Sequence, residues 1–155
     1  MPSSPSRGPV TTRLLAELAT EGFPVGDNAQ PTEPYGWQGE PNGDGSTFTP
    51  WMTLAPGTAL PQTVPGAMGD TGTEWRMTYT VYYAGVSRKQ CEALADKMRE
   101  SLTNIAREAV STPTGNWKIM KISCTNIGNN NRVGSTLPDY SSQADSFDVW
   151  VTKER

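Results

Sequence analysis

Histidine is absent from this 155-residue chain. That removes Ser-His-Asp and Cys-His arrangements and the commonest general base. Cys91 and Cys124 are the only thiols. Each falls at an apolar position, Cys91 on a predicted helix and Cys124 on a predicted strand, so each reads as a buried free thiol. A disulfide between them is not expected in a reducing compartment. Carboxylates gather in two places: Asp27, Glu33, Glu40 and Asp44, and then Asp139, Asp145 and Asp148. A calcium loop needs acidic residues at alternating positions and a closing Glu. Neither group has that pattern, so both read as solvated loop charge. The run GDGST at 43–47 is glycine-rich, but it lacks the lysine and the following helix of a phosphate cradle. No Cys/His metal cluster occurs. The expectation is a non-enzyme with no catalytic residue, no metal and no cofactor.

The aromatics point to a different chemistry. Trp37 and Trp51 flank the turn string PNGDG at 41–45. Trp150 alternates against Phe147, Val149 and Val151, and Tyr82 against Tyr79, Val81 and Tyr83, so both lie opposite a core face. Large aromatics on an outer sheet face or in long loops are of the interface type. Trp37, Trp51, Tyr82 and Trp150 are therefore candidate subunit contacts, together with Tyr140 and Arg132 from the last long connection. The alternative is a second small core made by loops folding back. Trp75 reads as core, and Trp117 opens a strand.

These residues need elements to hold them. Residues 1–10 form a Ser/Pro-rich segment expected to be flexible, and 11–155 a single domain. Thr11 or Thr12 caps a first helix with Leu14, Leu15 and Leu18 on its buried face, and Gly22 ends it. Residues 26–45 read as loop. Thr47 to Leu54 reads as a strand interrupted at Pro50, and 55–72 again as loop. In EWRMTYTVYYAGV, Trp75, Met77, Tyr79, Val81 and Tyr83 alternate with Arg76, Thr78, Thr80 and Tyr82, a period of two. Ser87 and Gln90 form a capping box. The helix they open carries an apolar stripe from Cys91 to Ala109 and is expected to end near Val110. Trp117 to Thr125 reads as a strand with Met120, Ile122 and Cys124 on one face and Ile119 opposite. Residues 126–145 read as a long polar loop, and Ser146 to Thr152 as the last strand. The economical solution is α+β: an antiparallel or mixed sheet of about four strands, two helices on one face, and long loops.

Hydrophobic residues make up 35% and charged residues only 19%, so the low apolar content reflects polar loops with 15 Gly and 13 Pro rather than a charge-rich chain. The net charge of -3 and the lack of a basic stripe argue against binding nucleic acid by phosphate neutralisation. No apolar run approaches the roughly 20 residues of a membrane helix. MPSSPSRGPV lacks the apolar stretch of a signal peptide, so the chain is expected to act in the cytoplasm where it is made, or in something assembled there.

The order of elements resembles the tail terminator proteins of siphophages, of the mycobacteriophage-like kind. The opening helix TTRLLAELAT, the strand EWRMTYTVYYAG, the helix SRKQCEALADKMRESLTNIAREAV, the strand GNWKIMKISC and the closing LPDYSSQADSFDVWVTKE carry the likeness over residues 11–153. The resemblance implies a structural virion protein of the tail and neck, made in the host bacterial cytoplasm. It implies a homo-hexameric ring on the last ring of the tail tube, which ends tube polymerisation and meets the head-tail connector or stopper. Its partners would be copies of itself, the major tail tube protein and the connector, with no membrane. DNA would pass through the lumen unbound, and the modest acidity of the chain opposes phosphate adhesion. No catalytic residue is carried over. A ring closed by heterologous contacts needs two different patches per subunit. Another connector, stopper or tail tube subunit is the alternative reading. A non-virion binding module is a further one, distinguished by a monomeric state and a concave ligand pocket.

Overall fold

A computed structural model describes residues 7–38, 47–61, 74–113, 115–133 and 139–153. In chain order these form helix α1 (Arg7–Leu18), a 3-10 turn (Ala19–Glu21), β1 (Val25–Asp27), β2 (Gly36–Gln38), β3 (Thr47–Thr49), β4 (Trp51–Pro61) and β5 (Glu74–Gly85). Helix α2 (Arg88–Thr103), β6 (Ala109–Thr112), β7 (Gly115–Ile127), β8 (Asn131–Val133) and β9 (Tyr140–Lys153) follow. The expectation of about four strands is overturned. Sheet dominates: seven strands form one curled mixed sheet in the order β1-β4-β5-β9-β7-β6, with β8 also on β9, and β2 and β3 pair separately. β1 runs parallel to β4, and the other pairings are antiparallel.

Strand β5 behaves as its alternation predicts. Met77, Tyr79, Val81 and Tyr83 are buried, and Trp75 is partly buried against the same core. Both helices cover this face. Val10, Leu14 and Leu18 of α1 and Cys91, Leu94, Ala95, Met98 and Leu102 of α2 join Met52, Leu54, Ile119, Ile122, Phe147, Val149 and Val151 in one apolar cluster. Burying each large aliphatic side chain contributes about 1.5–3 kcal/mol. Thr11, expected as a cap, is instead buried, because α1 begins at Arg7 and Thr11 Oγ1 shares a 2.9 Å hydrogen bond with the Tyr79 hydroxyl. Residues 1–6 of the expected flexible segment lie outside the described residues. Gly22 ends the 3-10 turn at φ 84, a left-handed conformation that glycine adopts without a Cβ penalty.

Four further differences have identifiable causes. The α2 stripe was expected to run to Ala109, but the helix stops at Thr103. Arg107 takes a φ of 77, and its N–H turns to the carbonyl of Ile119, while Ile119 N–H donates to Glu108 at 2.8 Å. Sheet pairing with β7 takes over from the helical ladder, so Val110 is buried from a strand. Pro50 does break the expected strand, and it separates two strands of different sheets. β4 then continues to Pro61 through residues expected as loop, its irregularity falling between Pro56 and Ala59.

On β7 the pairing with β9 shifts between Ile119 and Lys121. The extra residue, Met120, is thrown outward and is 46% exposed, while Trp117, Ile119 and Ile122 are buried. The expected apolar face of Met120, Ile122 and Cys124, with Ile119 opposite, is therefore wrong. Cys124 is half-buried and not buried.

The stretch expected as a long polar loop holds β8 and the first half of β9. The core-facing positions Ser141, Gln143 and Asp145 are polar yet buried. Arg99 pairs with Asp145 at 2.5 Å, and Gln143 Nε2 donates to the same carboxylate at 3.0 Å. Gly128 N–H donates to it at 3.3 Å. Burial and the negative charge of Asp145 both push the nearby Tyr83 hydroxyl well above its ordinary pKa.

Candidate functional site

Five of the six candidate residues lie on or over the sheet face that the helices leave open, while Arg132, opposite Ser141 in register, points to the other face. Trp37, Trp51 and Tyr140 come together at one end of the open face, with Arg132 at its rim. On β4, Met52 and Leu54 enter the core, so Trp51 and Thr53 point the other way. On β9, the same alternation puts Tyr140 opposite Ser141. The β2–β3 pair lies over this corner, with Trp37 opposite Phe48 in register. Trp37 and Phe48 meet edge to face at 5.4 Å between ring centres, and Tyr35 meets Trp51 in the same way at 4.9 Å. Tyr140 stacks on Phe48 at 6.2 Å and lies 6.0 Å from Trp51. Such pairs add about 0.5–1.5 kcal/mol each beyond area burial.

Arg132 anchors the rim. It bridges Asp139 at 2.6 and 2.8 Å, and also donates to the Val86 carbonyl and the Ser141 hydroxyl. The Arg132 guanidinium holds the Asp139 carboxyl below the usual carboxylate range. Trp37 Nε1 donates to the Asp139 carbonyl at 3.1 Å, which ties the β2–β3 pair to the start of β9. Between the rings is a cleft of about 230 Å³ lined by Gln30, Tyr35, Trp37, Phe48, Trp51 and Tyr140. Tyr35 donates to Gln30 Oε1 at 2.5 Å. Trp37, Trp51 and Tyr140 thus pack as the second small aromatic core that the alternative reading described, with an open cleft in it.

Tyr82 and Trp150 lie elsewhere on the same open face. Tyr82 is 44% exposed between Thr53 of β4 and Ala144 of β9. Trp150 is half-buried and sits between Arg76 of β5 and Lys121 of β7. The Arg76 guanidinium lies 5.7 Å from the Trp150 ring centre, and it reaches Asp148 at 3.9 Å. The two aromatics are six residues apart along the ladder, roughly 20 Å. The surface between them is mostly hydroxyl-bearing: Thr78, Thr80 and Ser146, with Asp148 beside Trp150. Among the described residues, the β2–β3 pair and the connection before it, with Ala29 at Thr53 and Tyr35 at Trp51, cover one end of the open face.

Sequence reasoning missed Tyr35, Phe48, Arg76 and Asp139 as members of these surfaces. The turn string between Trp37 and Phe48 was the available signal, since a hairpin there places those two rings in register. The acidic residues near the C-terminus are not free loop charge, because Asp139, Asp145 and Asp148 each have an arginine partner. Among the described residues, no group of three or more His, Cys, Asp or Glu could hold a metal ion, and no helix is long and apolar enough to cross a membrane.

No family model matches the chain, and no curated protein is similar to it at a significant level. One solved structure, whose name describes no activity, is similar over 92% of each chain with a TM-score of 0.46 and 15% identity. A likeness at that level carries no argument about what the chain does.

Proposed function

We propose that this chain is the tail terminator of a siphophage, a structural subunit that closes into a ring, ends growth of the tail tube and offers its other side to the head connector. One observation carries the reading beyond the resemblance in sequence. The open sheet face bears two unlike surfaces: the aromatic corner with its cleft beside Trp51 and Tyr140, and the exposed Tyr82 with the half-buried Trp150 on a hydroxyl-rich strand surface. A ring needs two different patches per subunit, since a heterologous contact that closes produces a ring and one that does not produces a filament. The ring is hexameric by the same resemblance, it has no reaction centre, and DNA passes through it without specific contacts.

A tube subunit or another neck protein would share this surface chemistry. Deleting the gene from the viral genome separates them. A terminator gives overlong tubes without heads, visible by electron microscopy. A tube subunit gives no tubes, and a stopper gives tails of normal length beside heads that leak DNA. Either of the last two results would overturn the proposal.

A further inference from the structure

The aromatic cleft has a donor to spare. Trp51 is 9% exposed, and its indole N–H lines the cleft without a partner among the described residues. Aromatic-lined grooves with such donors suit one kind of peptide. A polyproline II strand has no internal hydrogen bonds, so its carbonyls are free to accept, and its proline rings fill slots between aromatic rings at little entropic cost. The chain itself carries such a segment. Residues 1–6 read MPSSPS, with Pro2 and Pro5 three residues apart, one turn of that helix.

We infer that the Pro2–Pro5 segment of one subunit docks in the Trp51 cleft of a neighbouring copy. The reach of the segment decides between its own cleft and a neighbour's. Arg7, the first described residue, is tied to the carbonyls of Gly57 and Thr78 and lies 5.1 Å over the Tyr79 ring. It therefore starts α1 on the helix-covered side, near the middle of β4 and β5. Trp51 is six residues up β4 from Gly57, roughly 20 Å, and faces the opposite side of the sheet. Pro5 and Pro2 stand two and five residues before Arg7, at most about 16 Å away as polyproline II, so neither proline reaches its own cleft on the far side of the sheet. A neighbouring subunit has no such restriction. The docking gives each copy one donor segment and one acceptor cleft, which is the head-to-tail contact that a ring requires. It rests on the proposed function only in supposing that copies assemble.

Two measurements test it. The full-length chain is titrated at low concentration with the peptide MPSSPSR while tryptophan emission is followed, with MASSASR as control. The expected result is a saturable shift with the first peptide and binding roughly tenfold or more weaker with the second. Equal responses, or none, overturn the docking. In parallel, the Pro2→Ala/Pro5→Ala double variant, which alters no residue of the described fold, is compared with the Phe48→Ala variant by native mass spectrometry. Each alone should lose the self-association of the native chain. Mixed, they should recover 1:1 pairs and nothing larger, because only one productive contact remains per pair. Undiminished assembly of the double variant rejects the docking and leaves the ring proposal standing. Peptide binding by a chain that never forms rings keeps the docking and removes the terminator.

Discussion

Replacing Trp150 by glutamate should break assembly and spare the fold. The ring lies between Arg76 and Lys121 on the open face, half-buried. A tryptophan carries about 150–250 Å², so at most about 80 Å² of this partly buried ring is available to a partner, worth up to about 2 kcal/mol at roughly 25 cal/mol per Å². That is up to roughly thirtyfold in the association constant of each contact. A buried glutamate would add a desolvation cost on top. Within the subunit the losses are smaller. The cation–π contact with Arg76 contributes about 0.5–1 kcal/mol, and part of the ring's packing goes with it. The new carboxylate would lie directly across from two cations, each exposed pair returning about 0.2–1 kcal/mol. The net cost to folding is about 1–2 kcal/mol, which a stability of roughly 5–15 kcal/mol tolerates. Urea unfolding followed by circular dichroism gives the first quantity, and native mass spectrometry with particle counts gives the second. Trp150→Phe, which keeps an apolar ring, should retain most assembly. If Trp150→Glu unfolds the subunit in step with its loss of assembly, or assembles normally, the interface role is refuted.

Other outcomes follow from the buried polar network and the thiols. Asp145→Ala leaves Gln143 Nε2 and the Gly128 N–H without their acceptor and Arg99 with only its more exposed partner Asp96. Breaking a buried pair costs about 3–5 kcal/mol, and Arg99 is partly solvated, so about 3 kcal/mol is expected by urea unfolding. Asp145→Asn should lose less, since an amide oxygen still accepts. Burial raises the Cys91 and Cys124 thiol pKa values. Both should therefore resist a disulfide reagent at pH 8, with Cys124 labelled first because only Cys91 is fully enclosed. Their neutral forms favour the fold, so this contribution is present below the unfolded thiol value and is lost as pH rises through the folded one. The Asp139 carboxyl, lowered by Arg132, behaves in the opposite sense: its contribution holds above the unfolded carboxylate value of roughly 3.9 and is lost as pH falls through the depressed folded value. Carbonyl NMR should give a midpoint below the ordinary range, returned to that range by Arg132→Ala.

How far the sequence could be read depended on which residues face the core. Where the inward side chains are apolar, as in β5 and the C-terminal half of β9, period two located the strand. The N-terminal half of β9 turns Ser141, Gln143 and Asp145 inward, and no hydrophobic pattern betrays a strand stabilised by partners as distant in sequence as Arg99. Met120 shows the same limit from another side, since one bulged residue reverses the apparent faces of β7. The end of α2 is hidden because Ile105 and Val110 are buried whether the chain is helical or extended. The capping box at Ser87 and Gln90 was legible because it is local: Ser87 accepts from the Gln90 N–H at 3.2 Å. The aromatic corner was half legible. Tryptophans on either side of a turn string marked the region, but only the fold brings Tyr140, some 90 residues away, onto Trp51.

The most direct test is to add the purified chain to the polymerising tail tube protein of the same virus and to measure tube lengths and tube ends by electron microscopy. The account predicts tubes that stop growing and carry one extra ring of this chain at a single end. Tubes of unchanged length with bare ends, beside a chain that stays monomeric, would contradict it.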